Sequence, residues 1–487
     1  MVAPTNCSVL RENVGASIAR PSEHNNIHQE HSHINSNLFL NIYNRTSKCW
    51  VYQIESQCFS LYNQKKIAYN INIYMKGGNV FMYFSSDIQG FIEENDIKFI
   101  RMSFCDTFGN MKNIAVMPSE LPRALEYGIP FYSAGFLGKA PEMLMLRPDT
   151  TALSVLPWRP QSGRVVRFFC NLFHTDGSPY EGDLRRGLRL ASEKLGDMGY
   201  ECRISTRCEF YLFKTDNEGN PTRIPYDNGG YMDIAPLDKC EDARRDICLS
   251  LEEMGLRPIS SCHKSGPGQN EIDFASSDPL TAADNMMHYK AVVKTIAASH
   301  GLYASFMPKP LENEPGSALK IYISITKDGV PLFREGHEQG KAFAAGILRY
   351  MPEFSLFMNP TCSSFKRLSA MKRSGSFKAM ERIDLPGCEP ALEIRSADAL
   401  CNPYLTMQML LEAGIEGIKE SVTYSEENQT AFPDALDEAI SLTAGSSFVS
   451  RSVYSSNLEN FIAYKSNELD EYRKSENKDE FCFGRYF

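Results

Sequence analysis

Arg207-Cys-Glu-Phe-Tyr-Leu-Phe213, read together with Cys262-His-Lys-Ser-Gly-Pro-Gly-Gln-Asn-Glu-Ile-Asp-Phe274, sets the expectation for the rest of the chain. Each run reads as a short strand, and alternate residues of a strand point to one face. Arg207, Glu209 and Tyr211 therefore share a face, as do Gln269, Glu271 and Asp273. Two later runs repeat the pattern. Leu319-Lys-Ile-Tyr-Ile-Ser324 puts Lys320, Tyr322 and Ser324 on one side, and Leu392-Glu-Ile-Arg395 carries Glu393 and Arg395. Four strands are thus expected to turn charged groups toward one cavity.

Around these strands the sequence places helices. Leu184, Leu188, Ala191 and Leu195 form an i, i+4, i+7, i+11 stripe, which predicts an amphipathic helix ending near Gly196. A second helix is expected from about Pro279 to His300, with Asp278 as its cap and Gly301 as its stop, and a third after Asn402-Pro403. Further toward the N-terminus, Ile97 to Asn171 reads as short strands. They surround one helix, Ser119 to Tyr127, expected to be capped by Ser119 and closed at Gly128.

Residues 1–81 are different in kind: rich in Asn, Ser, His and Ile, with no sustained helical period. They are expected to be a poorly structured extension, and Met82, just before the helical Ser86–Asn95 pattern, is expected to be the native start with 1–81 as translated leader. His24, His28, His31 and His33 lie there, but nothing fixes a geometry around them that would hold a metal.

The 487 residues are enough for two or more domains, and the formal net charge of −9 argues against nucleic acid or an anionic membrane as partner. Fourteen cysteines are scattered without a Cys-x-x-Cys pair, which reads as reduced thiols and a cytoplasmic location. No apolar run reaches the roughly 18 to 20 residues that span a bilayer.

From about Ile97 onward the chain resembles the class I glutamine synthetases. The resemblance is carried by Phe104-Cys-Asp-Thr-Phe-Gly109, Gly266-Pro-Gly-Gln-Asn-Glu-Ile-Asp-Phe274, Phe306-Met-Pro-Lys-Pro310, Asn359-Pro-Thr361, Lys366-Arg-Leu368 and Asn402-Pro-Tyr-Leu405, in family order. It implies an α+β fold: a small β-grasp domain over 82–178, then a catalytic-type domain over 179–487 with a curved antiparallel sheet and helices behind it. It also implies ATP-dependent joining of glutamate and ammonia, aided by Mg2+ or Mn2+. A ring-type homo-oligomer is implied as well, with twelve subunits as one form.

Laid on this chain, the family's metal ligands are half replaced. Glu209, Glu271 and Glu393 stand at retained ligand positions, whereas Arg207, Lys264 and Lys320 occupy positions of two glutamates and a histidine. An ion-pair cluster of these six in place of metal is the expectation, since a fixed cation repels a divalent ion. No cofactor is therefore expected here, although the family uses Mg2+ or Mn2+ and ATP.

Other departures agree. The neighbour-reaching loop reads Phe131-Tyr-Ser-Ala-Gly135, with Tyr132 at the place of an acid, and the glutamate-closing loop after Lys366-Arg-Leu368 is shortened. Arg367 and Arg395 match arginines that hold substrate or phosphate, and Gln269, Gly316 and Ser324 stand at nucleotide- and substrate-type positions. Arg395 could equally be a structural partner of an acid, and His263 is read as a packed, hydrogen-bonded histidine. The expectation is a pseudoenzyme that binds a small anion at most. An active carboxylate–amine ligase with altered metal use and a non-catalytic subunit of a mixed oligomer with an active paralogue remain as alternatives.

Overall fold

The computed structural model describes residues 72–76, 79–83 and 85–487, except 134, 136, 138–140, 160–162 and 424–430. The four N-terminal histidines and most of the expected leader lie outside the described residues. At its edge, β1 (Asn72–Lys76) and β2 (Asn79–Tyr83) pair as an antiparallel hairpin, followed by a helix over Ser85–Glu94.

The first sheet has β3 (Ile97–Cys105), β4 (Met111–Val116), β5 (Ile129–Tyr132), β6 (Met143–Val155) and β7 (Arg164–His174), in the order β4-β3-β7-β6-β5. β3 and β7 run parallel and the other pairs antiparallel. Alternation along β7 gives each face its own core. Val166 and Phe168 join Ile100, Met102 and Leu146, while Val165 and Phe169 join the larger core of the rest of the chain. This is the expected β-grasp arrangement. Its helix begins later than the sequence reading has it: Pro118–Glu120 form a 3-10 turn and the α-helix covers Leu121–Glu126, with no side-chain cap from Ser119. Pro122 at the second helical position already lacks the N–H a cap would serve. Gly128, at φ +85°, closes the helix as expected.

The second sheet among the described residues has nine strands. Its main path is β10 (Pro258–His263), β11 (Gln269–Phe274), β8 (Tyr200–Thr215), β13 (Leu319–Lys327), β16 (Ala391–Ile394) and β15 (Met380–Ile383). β9 (Pro221–Pro225) and β12 (Leu302–Ser305) pair with β8, and β14 (Val330–Pro331) pairs with β13. All of these pairs are antiparallel.

The two faces of this sheet have opposite characters. Cys208, Phe210 and Leu212 of β8, Ile272 and Phe274 of β11, and Ile321 and Ile323 of β13 point to the helix side and are buried there. Burying each large apolar side chain contributes about 1.5–3 kcal/mol, so the register is strongly fixed. The helices that cover this face start where the sequence puts them. Asp183 accepts from the backbone N–H of Arg185 and Arg186 to open Leu184–Asp197. Asp278 accepts from Thr281 N–H to open Pro279–Ser299, and Asn402 opens Pro403–Lys419. The other face of the sheet carries the polar residues.

Candidate active site

Register alone brings the charged residues together. On β8 and β11, Glu209 lies opposite Glu271 and Arg207 opposite Asp273; on β13, Lys320 lies opposite Arg207. Tyr322 then faces Glu393 of β16, and Glu393 faces Glu381 of β15. Opposed residues are close enough to interact directly across strands. A row of acids and cations thus crosses the middle of the sheet.

The centre of the row is a carboxylate pair held by two ammoniums. Lys264 Nζ lies 3.2 Å from Glu271 Oε1 and 3.6 Å from Glu209 Oε1, and Lys320 Nζ lies 3.3 Å from Glu271 Oε2. Glu209 Oε2 accepts a 2.8 Å hydrogen bond from Ala318 N–H. The Lys264 ammonium also sits 5.2 Å from the centre of the Tyr231 ring, within cation–π range.

The balance of burial against neighbouring charges shifts these acids in opposite directions. Burial pushes the Glu209 carboxyl up, with the Glu271 charge adding to the push and the lysines opposing it. For Glu271 burial also acts upward, but Lys320 and Lys264 together outweigh it and hold the carboxyl below its usual range. Burial would lower Lys264, yet Glu209 and Glu271 overcome it and raise the ammonium. Glu271 is ionised between charged partners.

Two members of the expected cluster pair elsewhere. Arg207 Nε lies 3.2 Å from Asp273 Oδ2, not on Glu209 or Glu271, and its guanidinium stands 5.1 Å from the Tyr322 ring centre. The reason is register: Asp273 is directly across the ladder, and the long side chain of Arg207 runs out toward solvent with 44 % exposure. Glu393 accepts a 2.7 Å hydrogen bond from the Tyr322 hydroxyl and lies 3.9 Å from Arg395 Nε, rather than pairing with a lysine. Sequence reasoning had Asp273 and Tyr322 on the right faces without giving them partners, and it missed Glu381. The strand period could have assigned Asp273; nothing local in the sequence aligns Glu381 with Glu393.

The retained binding-type residues divide. Arg395 donates to Glu381 at 3.1 Å and is about one-third exposed. Arg367 is buried, donating to Asn359 Oδ1 at 3.1 Å and to the Ser396 carbonyl, with Asp398 4.0 Å away. Gly316 packs on it, since a Cβ there would come within 2.6 Å of both Arg367 Cγ and the Pro308 carbonyl oxygen. Gln269 bridges Gly316 O at 3.2 Å and Gly266 N–H at 3.0 Å, so it organises the loop. Ser324 is buried on β13 opposite Arg203, four residues from Lys320.

Residues 181–483 match the catalytic domain of glutamine synthetase and residues 96–175 its beta-grasp domain. The chain belongs to the glutamine synthetase family. A glutamine synthetase of Clostridium saccharobutylicum is 36% identical over 425 residues, covering 80% of this chain and 96% of that protein. One of Methanosarcina mazei is 36% identical over 421 residues, covering 80% and 94%. A solved structure described as a GmaS/ADP complex shares the fold, at TM-score 0.72 and 24% identity over 81% of this chain and 98% of that one.

The residues at this glutamine synthetase site do not suit the family's divalent ions. Hard cations want several oxygen ligands. Here an ammonium already lies within 3.6 Å of both Glu209 and Glu271, and the other positions that the family resemblance assigns to ligands carry Arg207 and Lys320 beside Glu393. Coulomb repulsion between a dication and an ammonium about 4 Å apart is about 8 kcal/mol at an effective dielectric of 20, so a fixed ammonium on these acids opposes an ion there.

Proposed function

We propose that this member of the glutamine synthetase family has lost metal-dependent ligase chemistry and acts through binding or assembly. The observation that carries the reading is Lys264 Nζ, 3.2 Å from Glu271 and 3.6 Å from Glu209, the two acids that the family resemblance assigns to metal. Phosphoryl transfer from ATP to a carboxylate joins two anions, and catalysis of it is positioning plus electrostatic stabilisation. Fixed ammoniums neutralise charge but do not bridge the β and γ phosphates as a metal ion does. Arg207 and Arg395, the more exposed cations of the row, are suited to hold a small anion such as a carboxylate. As in its family, the chain assembles into a homo-oligomer in this reading. Among the described residues no helix is long and apolar enough to cross a membrane.

The test is calorimetric titration with magnesium or manganese ATP alongside glutamate- and ammonia-dependent phosphate release. No metal binding and no turnover, with metal binding restored by combining Arg207→Glu, Lys264→Glu and Lys320→His, is the expected result. Turnover by the unaltered chain overturns the proposal.

A further inference from the structure

His263, the neighbour of Lys264, belongs to a second buried cluster. One ligating atom from each of Asp227, Asp238, Cys240 and His263 lies within 4.8 Å of the others, and all four residues are buried. His263 Nδ1 sits 2.9 Å from the Gly230 carbonyl and 2.7 Å from the Lys264 carbonyl. Carbonyl oxygens only accept, so Nδ1 carries a hydrogen, and this is how a metal-ligating imidazole is commonly oriented. Nε2 is the atom left for the cluster, 3.0 Å from Asp227 Oδ1. A carboxylate facing Nε2 at that distance needs a positive centre beside it, either a second proton or a metal ion.

Cys240 adds the ligand that separates these two cases. Its Sγ lies 3.2 Å from Asp227 Oδ2, and it precedes the helix Glu241–Glu253 without capping it with its side chain. The start of a helix favours an anion. Burial and the Asp227 charge push the free thiol up, and Asn270 faces it as well. Arg244 closes the set, donating to Asp238 Oδ2 at 2.6 Å and to Asn270 Oδ1 at 2.6 Å.

Charge balance allows an exchange. With His263 doubly protonated and Cys240 a thiol, Asp227 and Asp238 are matched by His263 and Arg244. With the Nε2 and Sγ protons released to solvent and one zinc ion bound, two carboxylates and a thiolate are matched by the ion and Arg244. Both states are neutral, so neither leaves a buried net charge. Thiolate with imidazole selects zinc over magnesium or manganese, and four buried protein ligands are the pattern of a structural site. Tetrahedral bonds of 2.0–2.3 Å ask for ligand separations of roughly 3.3–3.8 Å; the cluster's separations run from 3.0 Å to at most 4.8 Å, so the short ones widen slightly and the long ones close.

We propose that Asp227, Cys240 and His263, with Asp238 completing the set, hold one zinc ion acquired as the chain folds. The ion ties the Tyr226–Cys240 segment to the end of β10 that presents Lys264. The site is independent of the reading given to the Lys264 cluster.

The test is the full chain expressed in zinc-supplemented medium, with its metal content measured after desalting. Close to one zinc per chain is expected, falling at least tenfold in Cys240→Ser and staying unchanged in Arg207→Gln, which alters only the neighbouring row of charges. Zinc content equal in the unaltered chain and Cys240→Ser, or negligible zinc in the unaltered chain, overturns the proposal. Should Cys240→Ser fail to fold, zinc-edge X-ray absorption on the unaltered chain decides. One sulfur among nitrogen and oxygen ligands supports the site; a shell without sulfur overturns it.

Discussion

Glu271 lies between two ammoniums, with Oε1 3.2 Å from Lys264 Nζ and Oε2 3.3 Å from Lys320 Nζ. Its side chain is 6 % exposed and those of the lysines are 13 % and 19 %, so water does little to replace a lost partner. Glu271→Gln leaves Glu209 as the one central acid for two cations. Breaking a fully buried pair costs about 3–5 kcal/mol. The partial exposure of the lysines lowers the expected loss here to about 2–4 kcal/mol, read from urea denaturation at neutral pH.

The same two acids give opposite pH signatures. The folded-state pKa of Glu271 is depressed below its usual 4.5, so its contribution is fully present above that value and disappears as pH falls through the folded pKa. The stability gap between the unaltered chain and Glu271→Gln therefore closes on acidification. Glu209 is raised, so ionising it costs stability as pH climbs from 4.5 through its folded pKa. Glu209→Gln gains relative to the unaltered chain over that rise. Denaturation midpoints for both variants from about pH 3 to about pH 7, which covers both sides of the usual carboxylate range, would separate the trends. Parallel curves would contradict the assignment.

Arg207 contrasts with Lys264 although the family resemblance puts both at ligand positions. Its pair with Asp273 is 44 % exposed on the arginine side, where an ion pair contributes about 0–1 kcal/mol. Arg207→Gln is expected to change stability by less than about 1 kcal/mol and to weaken binding of a small carboxylate such as glutamate, measured by calorimetry.

The sequence made the faces of the sheet legible because strand period needs no tertiary information: odd residues of β8 and β11 and even residues of β13 had to share a side. It made one helix start legible through Asp278, whose side chain accepts a first free N–H group, and placed two more helices by the Leu184 stripe and after Asn402-Pro403, without their caps at Asp183 and Asn402. It did not reveal partners. Arg207 had three acids within reach, and its choice of Asp273 follows from ladder register that the sequence does not print. The buried state of Arg367 was equally hidden, since it depends on Asn359 and Ser396 from separate segments. Asp227 and Cys240 drew no notice at all, because their meeting with His263 depends on a loop path and not on spacing.

Gly316 offers a test of how Arg367 is held. A methyl group at this position would meet the Pro308 carbonyl oxygen at 2.6 Å, and backbone cannot swing aside as a side-chain end can. Gly316→Ala is expected to destabilise by about 1–3 kcal/mol, the usual cost of overpacking. If Arg367 is held against Gly316, the loss shrinks when Arg367→Ala is added; if Arg367 is free to leave its buried position, the loss stays the same. A double-mutant cycle by chemical denaturation would report the coupling.

Lys264→Glu asks whether one ammonium is what excludes a metal. The substitution removes the positive charge 3.2 Å from Glu271 and puts a third carboxylate beside Glu209, with Lys320 left to offset part of the excess. Without metal the variant is expected to be less stable than the unaltered chain, because like charges in a buried site repel. With manganese present it should recover, since a ligand that binds the folded state alone stabilises by about 2.7 kcal/mol at one hundred times its Kd. The unaltered chain should show no manganese-dependent shift of its denaturation midpoint beyond any due to ionic strength, which a manganese-free sodium chloride control removes. An equal shift in both proteins would mean that the Lys264 ammonium yields its place to the ion, and the proposed loss of metal chemistry would fall. A shift in neither, recovered on adding Lys320→His, would put the exclusion on both lysines acting through Glu271.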